Sequence, residues 1–275
     1  VSFAMLLLVL LLELKDKRGM KGDLEIAREI QFGLVPVQPI VRGEIRIESH
    51  MRPANTVGGD YYDVLELGSS QVAVVVGDVA GKGIPAALLM ALLQGSLRTL
   101  ISAGFRGAEL IAKLNDYLCS SIPENSLITL FYGEIDTQSG ALRYVNAGHN
   151  APFWIEDGRT LGRLPATSTV LGILGQRSFE QQQMQLGQGE RLLLFTDGIS
   201  EAFNRLQEEY GEARIEGYLH NHARESAGEL IRGLIDDVLA FCGDARPSDD
   251  ITLMIVGRPA PTSEGGGAPQ SNGRG

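Results

Sequence analysis

Three short apolar runs constrain the fold of this chain more than any other feature. They are residues 72–77, 191–196 and 251–256, and each is rich in β-branched or aliphatic side chains. Their apolar residues are almost continuous, whereas a strand with one exposed face alternates apolar and polar side chains. The three runs are therefore predicted to be strands that are covered on both faces.

The segments around these runs predict the remaining elements. Further strands are predicted at residues 45–51, 127–135, 141–146 and 152–155. Helices are predicted at residues 23–34, 84–103, 107–121, 212–222 and 227–242. The loop 136–140 has the composition of a hairpin turn. Blocks of strands with helices inserted in pairs indicate a layered, mainly antiparallel α+β domain and not a βαβ repeat.

The chain is predicted to form one domain, residues 23–258, between two short ends. Residues 1–22 are interpreted as an apolar and linker segment, and the Gly/Pro/Ser-rich residues 259–275 as a disordered tail. Within the first segment, residues 15–22 contain two glycines and are predicted to be a joint. The helix that follows is expected to stop before Pro36.

The apolar residues 1–12 have two interpretations. The run is shorter than the ~20 residues that a membrane span requires. It is interpreted either as the end of an upstream transmembrane or signalling helix, or as a short apolar helix that packs on the domain or on a partner. In the first case a cytoplasmic domain would be tethered to a membrane through the upstream segment.

The composition excludes several classes of function. The net charge of −10 argues against nucleic acid as a partner, because phosphate backbones require clustered Lys and Arg. Two cysteines, Cys119 and Cys242, exclude a disulfide framework and a four-cysteine zinc site, and they fit a reduced, cytoplasmic protein. The acidic composition fits a protein that holds hard cations.

Four aspartates lie where a strand-like run begins or ends, beside small residues: Asp60, Asp78, Asp197 and Asp249. If buried strands deliver them to one end of the domain, their charges repel unless a cation offsets them. Oxygen ligands alone select Mg²⁺ or Mn²⁺. Each aspartate taken singly could instead be a turn former or a helix cap; the constellation favours a metal site.

Other phosphate and hydrolase motifs do not fit. Residues 77–83 resemble a phosphate-binding loop, but the spacing between the glycines is one residue short and Gly83 stands where a Ser or Thr is required. The Gly-x-Ser-x-Gly nucleophile motif and the zinc metalloprotease signature are absent from the sequence. Neither cysteine is followed by the Arg that a cysteine phosphatase needs.

Six segments in order resemble the metal-dependent PPM family of protein phosphatases, in its bacterial SpoIIE/RsbU-like branch. They are EIAREIQFGLVP (25–36), VGGDYYD (57–63), GDVAGKGIPAALLM (77–90), YGEIDTQSGALRYVNAGHNAPF (132–153), LLLFTDGISEAFN (192–204) and SDDITLMIV (248–256). The resemblance implies a β-sandwich flanked by helices on both sides, with two divalent cations, Mn²⁺ or Mg²⁺, at one end. It covers roughly residues 25–258.

The resemblance also implies roles for individual residues. Asp78 would bridge both metals, Asp197 and Asp249 would hold one, and Asp60 with the carbonyl of Val79 would hold the other. Asp250 would support the site, although its position next to Asp249 leaves the choice between the two open.

Other residues in the matching segments have less certain roles. Asp63 is either a supporting carboxylate near the metals or structural. Lys82 is interpreted as a packing or helix-start residue rather than a phosphate ligand, and His149 as a residue of a structural turn rather than a catalytic acid. The sequence has no clear match to the phosphate-binding Arg or the general-acid His of the eukaryotic branch.

The resemblance predicts hydrolysis of phosphoserine or phosphothreonine on a regulatory protein, such as an anti-sigma-factor antagonist, by a water that two metals activate. Two alternatives stay open: a phosphatase-like binding module without turnover, and a metal-dependent hydrolase of small phosphoesters. The helix at residues 23–34 is predicted to pack near the Asp60 and Asp78 loops and to gate them, with dimerisation through the N-terminal helix as one input. The alternative is an ordinary core helix.

Overall fold

The predicted apolar runs are interior strands of two antiparallel sheets. The computed structural model describes residues 3–36, 39–245 and 249–260. The strands are β1 Ile40–Arg42, β2 Ile45–Arg52, β3 Tyr61–Glu66, β4 Gln71–Val79, β5 Ile128–Asp136, β6 Ala141–Ala147, β7 Phe153–Glu156, β8 Arg159–Arg163, β9 Gln182–Gln185, β10 Glu190–Phe195 and β11 Ile251–Gly257. The helices are α1 Phe3–Leu34, α2 Ile84–Ser102, α3 Gly107–Ser121, α4 Asp197–Ser200, α5 Gly211–Asn221 and α6 Ala227–Cys242.

The two sheets stack face to face between two layers of helices. One sheet, here called sheet A, has the order β1-β2-β11-β10-β7-β8, and sheet B has the order β3-β4-β5-β6-β9. Side chains of β2, β10 and β11 pack against those of β4, β5 and β6 in the core between the sheets. The outer face of sheet B packs on α2 and α3, and that of sheet A on α5 and α6. The predicted layered α+β fold is therefore confirmed.

The predicted hairpin lies between β5 and β6. These strands pair antiparallel from Leu130 opposite Ala147 to Ile135 opposite Leu142. In the turn, Asp136 Oδ1 accepts hydrogen bonds from the backbone N–H and the hydroxyl of Ser139, both at 2.7 Å. Gly140 has φ +78°, a conformation that a residue with a Cβ adopts at a cost. The local sequence thus fixes the register of the central hairpin of sheet B.

The structure bears differently on the predicted joint, on the predicted end of the first helix and on the predicted tail. The joint predicted at residues 15–22 is wrong, because α1 continues unbroken from Phe3 to Leu34. A glycine inside a helix costs only about 1 kcal/mol relative to alanine, which the good helix formers on either side offset. The helix does end before Pro36, as predicted. The predicted tail lies outside the described residues from position 261 onward.

Helix α2 is unusually apolar for a helix of a layered domain. In the described part of the chain, it is the one helix whose length and composition would allow it to cross a membrane. Its Met90, Leu93 and Leu97 are fully buried in the core beneath sheet B. Packing against sheet B and α3 explains the apolar residues on this face of α2, whereas Ile84 and Leu88 are exposed.

Candidate active site

The ends of four strands bring the predicted aspartates to one edge of the sandwich. Asp60 directly precedes β3, and Asp78 lies at the end of β4, which pairs with β3. Asp197 follows β10 and Asp249 precedes β11, the partner of β10. Because β3 and β4 belong to sheet B, and β10 and β11 to sheet A, each sheet contributes two of the four carboxylates.

The charges of these aspartates act on one another. Burial and the nearby carboxylate of Asp78 raise the pKa of Asp60 well above its ordinary value. Burial, together with Asp197 and Asp249, raises the pKa of Asp78 to about 7. Burial and Asp249 likewise raise the pKa of Asp197 to about 6, and Glu201 acts in the same direction. Raised pKa values of this kind mark carboxylates whose negative charge lacks a sufficient counter-charge.

Asp60 is held by two threonines of the opposite sheet. Its side chain is only 2% exposed. Oδ2 accepts hydrogen bonds from Thr196 Oγ1 at 2.8 Å and from Thr252 Oγ1 at 2.6 Å. Both hydroxyls favour the charged carboxylate and partly counteract the effect of burial on its pKa. Neither threonine was predicted from the sequence, although Thr196 directly precedes Asp197 and Thr252 lies in the same motif as Asp249.

Asp249 and Asp250 make different contacts. Asp250 is buried, and its two carboxylate oxygens accept hydrogen bonds from the backbone N–H groups of Ala54 at 2.8 Å and Gly59 at 2.7 Å. Asp250 thereby anchors the loop that leads to Asp60. Asp249 is more exposed and forms an ion pair with Lys82, with Nζ 3.0 Å from Oδ2. Both oxygens of Asp250 are therefore engaged by backbone amides, whereas Asp249 Oδ2 is paired with a lysine.

Asp63 has a structural role. Its side chain is fully buried and accepts two hydrogen bonds from Arg98 of α2, at 2.8 and 2.9 Å, and a third from the hydroxyl of Tyr61 at 2.7 Å. These bonds join the first strand of sheet B to α2. Of the two interpretations of Asp63, the structural one fits these contacts.

His149 is buried at the end of β6 and is not suited to act as an acid near neutral pH. Its Nδ1 lies 2.8 Å from Thr129 Oγ1, and its backbone N–H donates to Asn146 Oδ1 at 2.8 Å. Burial lowers the pKa of His149 to about 4. The imidazole is therefore neutral at physiological pH, and its contacts stabilise the loop after β6.

Helix α1 contacts the loop that precedes Asp60. Gln31 Nε2 donates to the carbonyl oxygen of Gly58 at 2.7 Å, and the N–H of Gly58 donates to Gln31 Oε1 at 3.2 Å. Gln31 is buried, whereas Ile26 and Ile30 of the same helix are 57% and 62% exposed. The predicted proximity of this helix to the Asp60 loop thus depends on a glutamine, a residue that the apolar pattern did not select.

The chemistry of the donor set fits hard divalent cations, because all four side chains are carboxylates whose mutual repulsion a cation would relieve. Among the residues that the structure describes, however, no group of three or more His, Cys, Asp or Glu side chains is arranged to hold a metal ion as it stands. The threonine hydroxyls contact only Oδ2 of Asp60, whereas Lys82 pairs with Oδ2 of Asp249. A cation that engages this oxygen of Asp249 would have to displace Lys82.

The fold defines the class to which this site belongs. The SiaA-PP2C domain of Pseudomonas aeruginosa shares the fold, with a TM-score of 0.77 and 21% identity over 87% of this chain and 97% of that domain. The RsbU and RsbW domains of Rv1364c from Mycobacterium tuberculosis match with a TM-score of 0.66 and 30% identity, over 83% of this chain and 62% of that one. The architecture is therefore that of the PP2C-type domains.

The family model described as Stage II sporulation protein E (SpoIIE) matches residues 68–259, well over half of the chain. The chain therefore belongs to the SpoIIE family, which confirms the predicted branch.

Curated relatives include Protein IcfG of Synechocystis, 28% identical, and two Bacillus subtilis proteins named phosphoserine phosphatase, RsbU at 27% and RsbP at 30%. The alignments cover 86%, 88% and 66% of this chain, and the chain spans 41% of IcfG, 72% of RsbU and 46% of RsbP.

Proposed function

We propose that this chain is a metal-dependent protein phosphatase that hydrolyses phosphoserine or phosphothreonine on a regulatory protein. The observation that carries the proposal is the cluster of Asp60, Asp78, Asp197 and Asp249 at the meeting edge of the two sheets, where burial and neighbouring carboxylates raise the pKa of Asp60, Asp78 and Asp197. Transfer of a phosphoryl group to water depends mainly on positioning and charge stabilisation, which such a cluster supplies once it holds cations. The names of RsbU and RsbP support the same reaction.

The proposed ligand set divides the aspartates between two cations, Mn²⁺ or Mg²⁺. Asp78 would hold both, Asp197 and Asp249 would hold one, and Asp60 with the carbonyl of Val79 would hold the other. A divalent cation lowers the pKa of a water molecule and offsets the charge of phosphoryl oxygens. The Val79 carbonyl is close to the Asp60 loop, since a Cβ on Gly59 would lie 2.6 Å from its oxygen.

Residues around the cluster keep these ligands in place. Thr196 and Thr252 orient the carboxylate of Asp60 through their hydroxyls. Asp250 fixes the loop before Asp60 through two backbone amides, and Asp63 fixes β3 to α2 through Arg98. Such supporting contacts determine how accurately a metal ligand is positioned. This support speaks for a working site rather than a binding module that has lost turnover.

The proposed substrate is a phosphorylated protein of the anti-sigma-factor-antagonist type. We further propose that two copies of the chain pair through α1, because this helix carries exposed apolar side chains beyond the domain, at Met5, Leu6, Leu7, Leu11 and Leu12. Exposed apolar stripes of this kind indicate a protein or membrane contact. Sedimentation of the chain with and without residues 3–22 would measure the pairing.

The decisive experiment measures phosphate release from three substrate groups with Mn²⁺, with Mg²⁺ and with chelator. The groups are phosphorylated anti-sigma-factor antagonists, phosphoserine peptides and nucleotides. The proposal expects metal-dependent turnover that is fastest on a phosphoprotein. Turnover of nucleotides alone would instead indicate a hydrolase of small phosphoesters. Binding of the phosphoprotein without any turnover would indicate a binding module.

A further inference from the structure

Lys82 places a positive charge directly on the aspartate cluster. Its ammonium lies 3.0 Å from Asp249 Oδ2, and its side chain is 51% exposed. The side chain therefore points toward the carboxylates of the other sheet, which is not the position of a residue that only packs at the start of α2.

The backbone on either side of Lys82 is unusual. Gly81 has φ +111° and Gly83 has φ +68°, both in the region that favours glycine. A Cβ at either position would meet no atom within 4 Å, so close packing does not explain the two glycines. They shape a loop that projects Lys82, at a point where little protein surrounds the chain.

The charges at the site explain why a cation is needed there. Four carboxylates carry a charge of −4, which two divalent cations would reduce to zero. Glu201 lies near enough to add further negative charge to the site. A phosphorylated side chain brings about −1.5 to −2 more near neutral pH. A further positive group beside the loaded site would therefore add to the attraction of the cations for the phosphate.

We propose that Lys82 is a phosphate-binding residue that exchanges Asp249 for a phosphoryl oxygen of the substrate. The inference deepens the proposed function and rests on it. A lysine ammonium on a flexible stem binds phosphate as a point charge and does not need the fixed geometry of a guanidinium. A cation that engages Asp249 would weaken the ion pair between Asp249 and Lys82 and favour a contact of the ammonium with the phosphate.

A groove beside the Lys82 loop provides room for the protein around the phosphorylated residue. It has a volume of about 600 Å³ and is lined by Leu24 and Arg28 of α1, by the 55–57 loop, and by Gly83 and Ile84. The groove therefore lies next to the Lys82 loop, between α1 and the loop that leads to Asp60. A phosphorylated segment of a protein substrate would lie along it.

The test compares Lys82→Met and Lys82→Arg with the matched control Lys113→Met. Lys113 lies on α3, where its ammonium is 4.5 Å from the ring centre of Phe105, away from the aspartates. Two quantities are measured by calorimetry: Mn²⁺ binding to the metal-free protein, and binding of inorganic phosphate to the Mn²⁺-loaded protein. Steady-state kinetics on a phosphoprotein give kcat and KM separately.

We expect Lys82→Met to weaken phosphate binding and to raise KM, each about tenfold, which is the change that the loss of about one charge-assisted contact produces. Mn²⁺ binding should be unchanged or tighter, because Asp249 loses a competing partner. Lys82→Arg should restore most of the phosphate affinity, and Lys113→Met should resemble the wild type.

Three results would overturn the inference. They are unchanged phosphate affinity in Lys82→Met, Mn²⁺ binding weakened as strongly as phosphate binding, and failure of the loaded wild type to bind phosphate. The proposed function fails differently, when the wild type hydrolyses no phosphoprotein. Phosphate binding that depends on Lys82 would survive that failure, so the two outcomes are distinguishable.

Discussion

Thr252 of sheet A donates a hydrogen bond to the carboxylate of Asp60 in sheet B, with 2.6 Å between Oγ1 and Oδ2. The bond crosses from one sheet to the other at the edge where the four aspartates meet. It gives a buried carboxylate one of its two side-chain donors, the other being Thr196. The position of Asp60 is therefore set by the packing of the two sheets against each other.

Replacement of Thr252 by valine removes this donor and keeps the shape of the side chain. The loss of a hydrogen bond to this buried carboxylate should lower the free energy of unfolding by about 1–3 kcal/mol. Equilibrium unfolding in urea measures this loss. The matched control is Thr99→Val, since the Thr99 hydroxyl bonds only the exposed carbonyl of Gly95 on its own helix. Equal losses in the two variants would contradict the role assigned to Thr252.

Ionisation of the Asp78 carboxyl should destabilise the metal-free protein as the pH rises. Its folded-state pKa of about 7 lies above its ordinary value of 3.8, so the folded protein binds the proton more tightly than the unfolded chain does. The contribution of this carboxyl to stability is present at low pH and is lost as the pH rises toward 7. Asp78→Asn should therefore stabilise the metal-free protein by about 2 kcal/mol near pH 8, and by little near pH 4.

With Mn²⁺ present, the wild type should instead be more stable than Asp78→Asn, because a ligand stabilises the folded state more when it binds more tightly. Thermal unfolding with and without Mn²⁺ measures both effects. A metal-free Asp78→Asn protein that is less stable than the wild type near pH 8 would show that repulsion among the aspartates does not control the stability of the metal-free site.

Protonation of His149 should destabilise the protein as the pH falls, whereas ionisation of Asp78 does so as the pH rises. Its pKa of about 4 lies below its ordinary value of 6.5, so the unfolded chain binds the proton more tightly. The stability that the neutral, buried imidazole contributes is complete above pH 6.5 and is lost as the pH falls toward 4, by about 3 kcal/mol at most. We expect His149→Ala to lower the free energy of unfolding and to abolish this part of its pH dependence.

The folded His149→Ala enzyme should retain the acid limb of the pH–rate profile. If that limb disappears while folding and metal binding are unchanged, His149 is a catalytic acid after all.

The contact between α1 and the Asp60 loop gives a test of the gating hypothesis. Gln31→Ala removes both hydrogen bonds to Gly58. If α1 gates the site, Mn²⁺ affinity and turnover should change by more than the lower melting temperature explains, because the loop shifts between competent and incompetent positions. The variants Ile26→Ala and Ile30→Ala serve as comparison, since both side chains are exposed on the same helix.

Activity that merely follows the folded fraction in Gln31→Ala would make α1 an ordinary structural helix. A change of activity in the isoleucine variants alone would instead indicate that the gate acts through a partner on the exposed face.

Much of the fold follows from local sequence patterns. The continuous apolar runs predicted the interior strands β4, β10 and β11, and the turn after Asp136 predicted the central hairpin. Strand β9 was not predicted, because its residues Gln182–Gln185 are polar and largely exposed at the edge of sheet B. Strand β3 was not predicted either, since its motif was considered only for its aspartates. Edge position and pairing with a neighbour are properties that a local pattern does not contain.

The site was predictable in its residue types and less so in its contacts. Carboxylates at strand ends beside glycines indicated where Asp60, Asp78, Asp197 and Asp249 would meet. The partners of these residues come from distant positions: Thr252 is 192 residues from Asp60, and Ala54 is 196 residues from Asp250. Only the stacking of the sheets determines such pairs, so the different contacts of Asp249 and Asp250 could not be predicted from their adjacent positions in the sequence.

The most direct measurement is the calorimetric titration of Mn²⁺ into the metal-free wild type, Asp78→Asn and Asp60→Asn, with phosphate release recorded on the same samples. We expect two sites in the wild type, weakened binding at both in Asp78→Asn, and the loss of one in Asp60→Asn, with activity lowest in Asp78→Asn. Excess chelator should abolish turnover in every sample. Two undisturbed sites in Asp78→Asn, or full turnover in chelator, would contradict a metal-dependent phosphatase built on these aspartates.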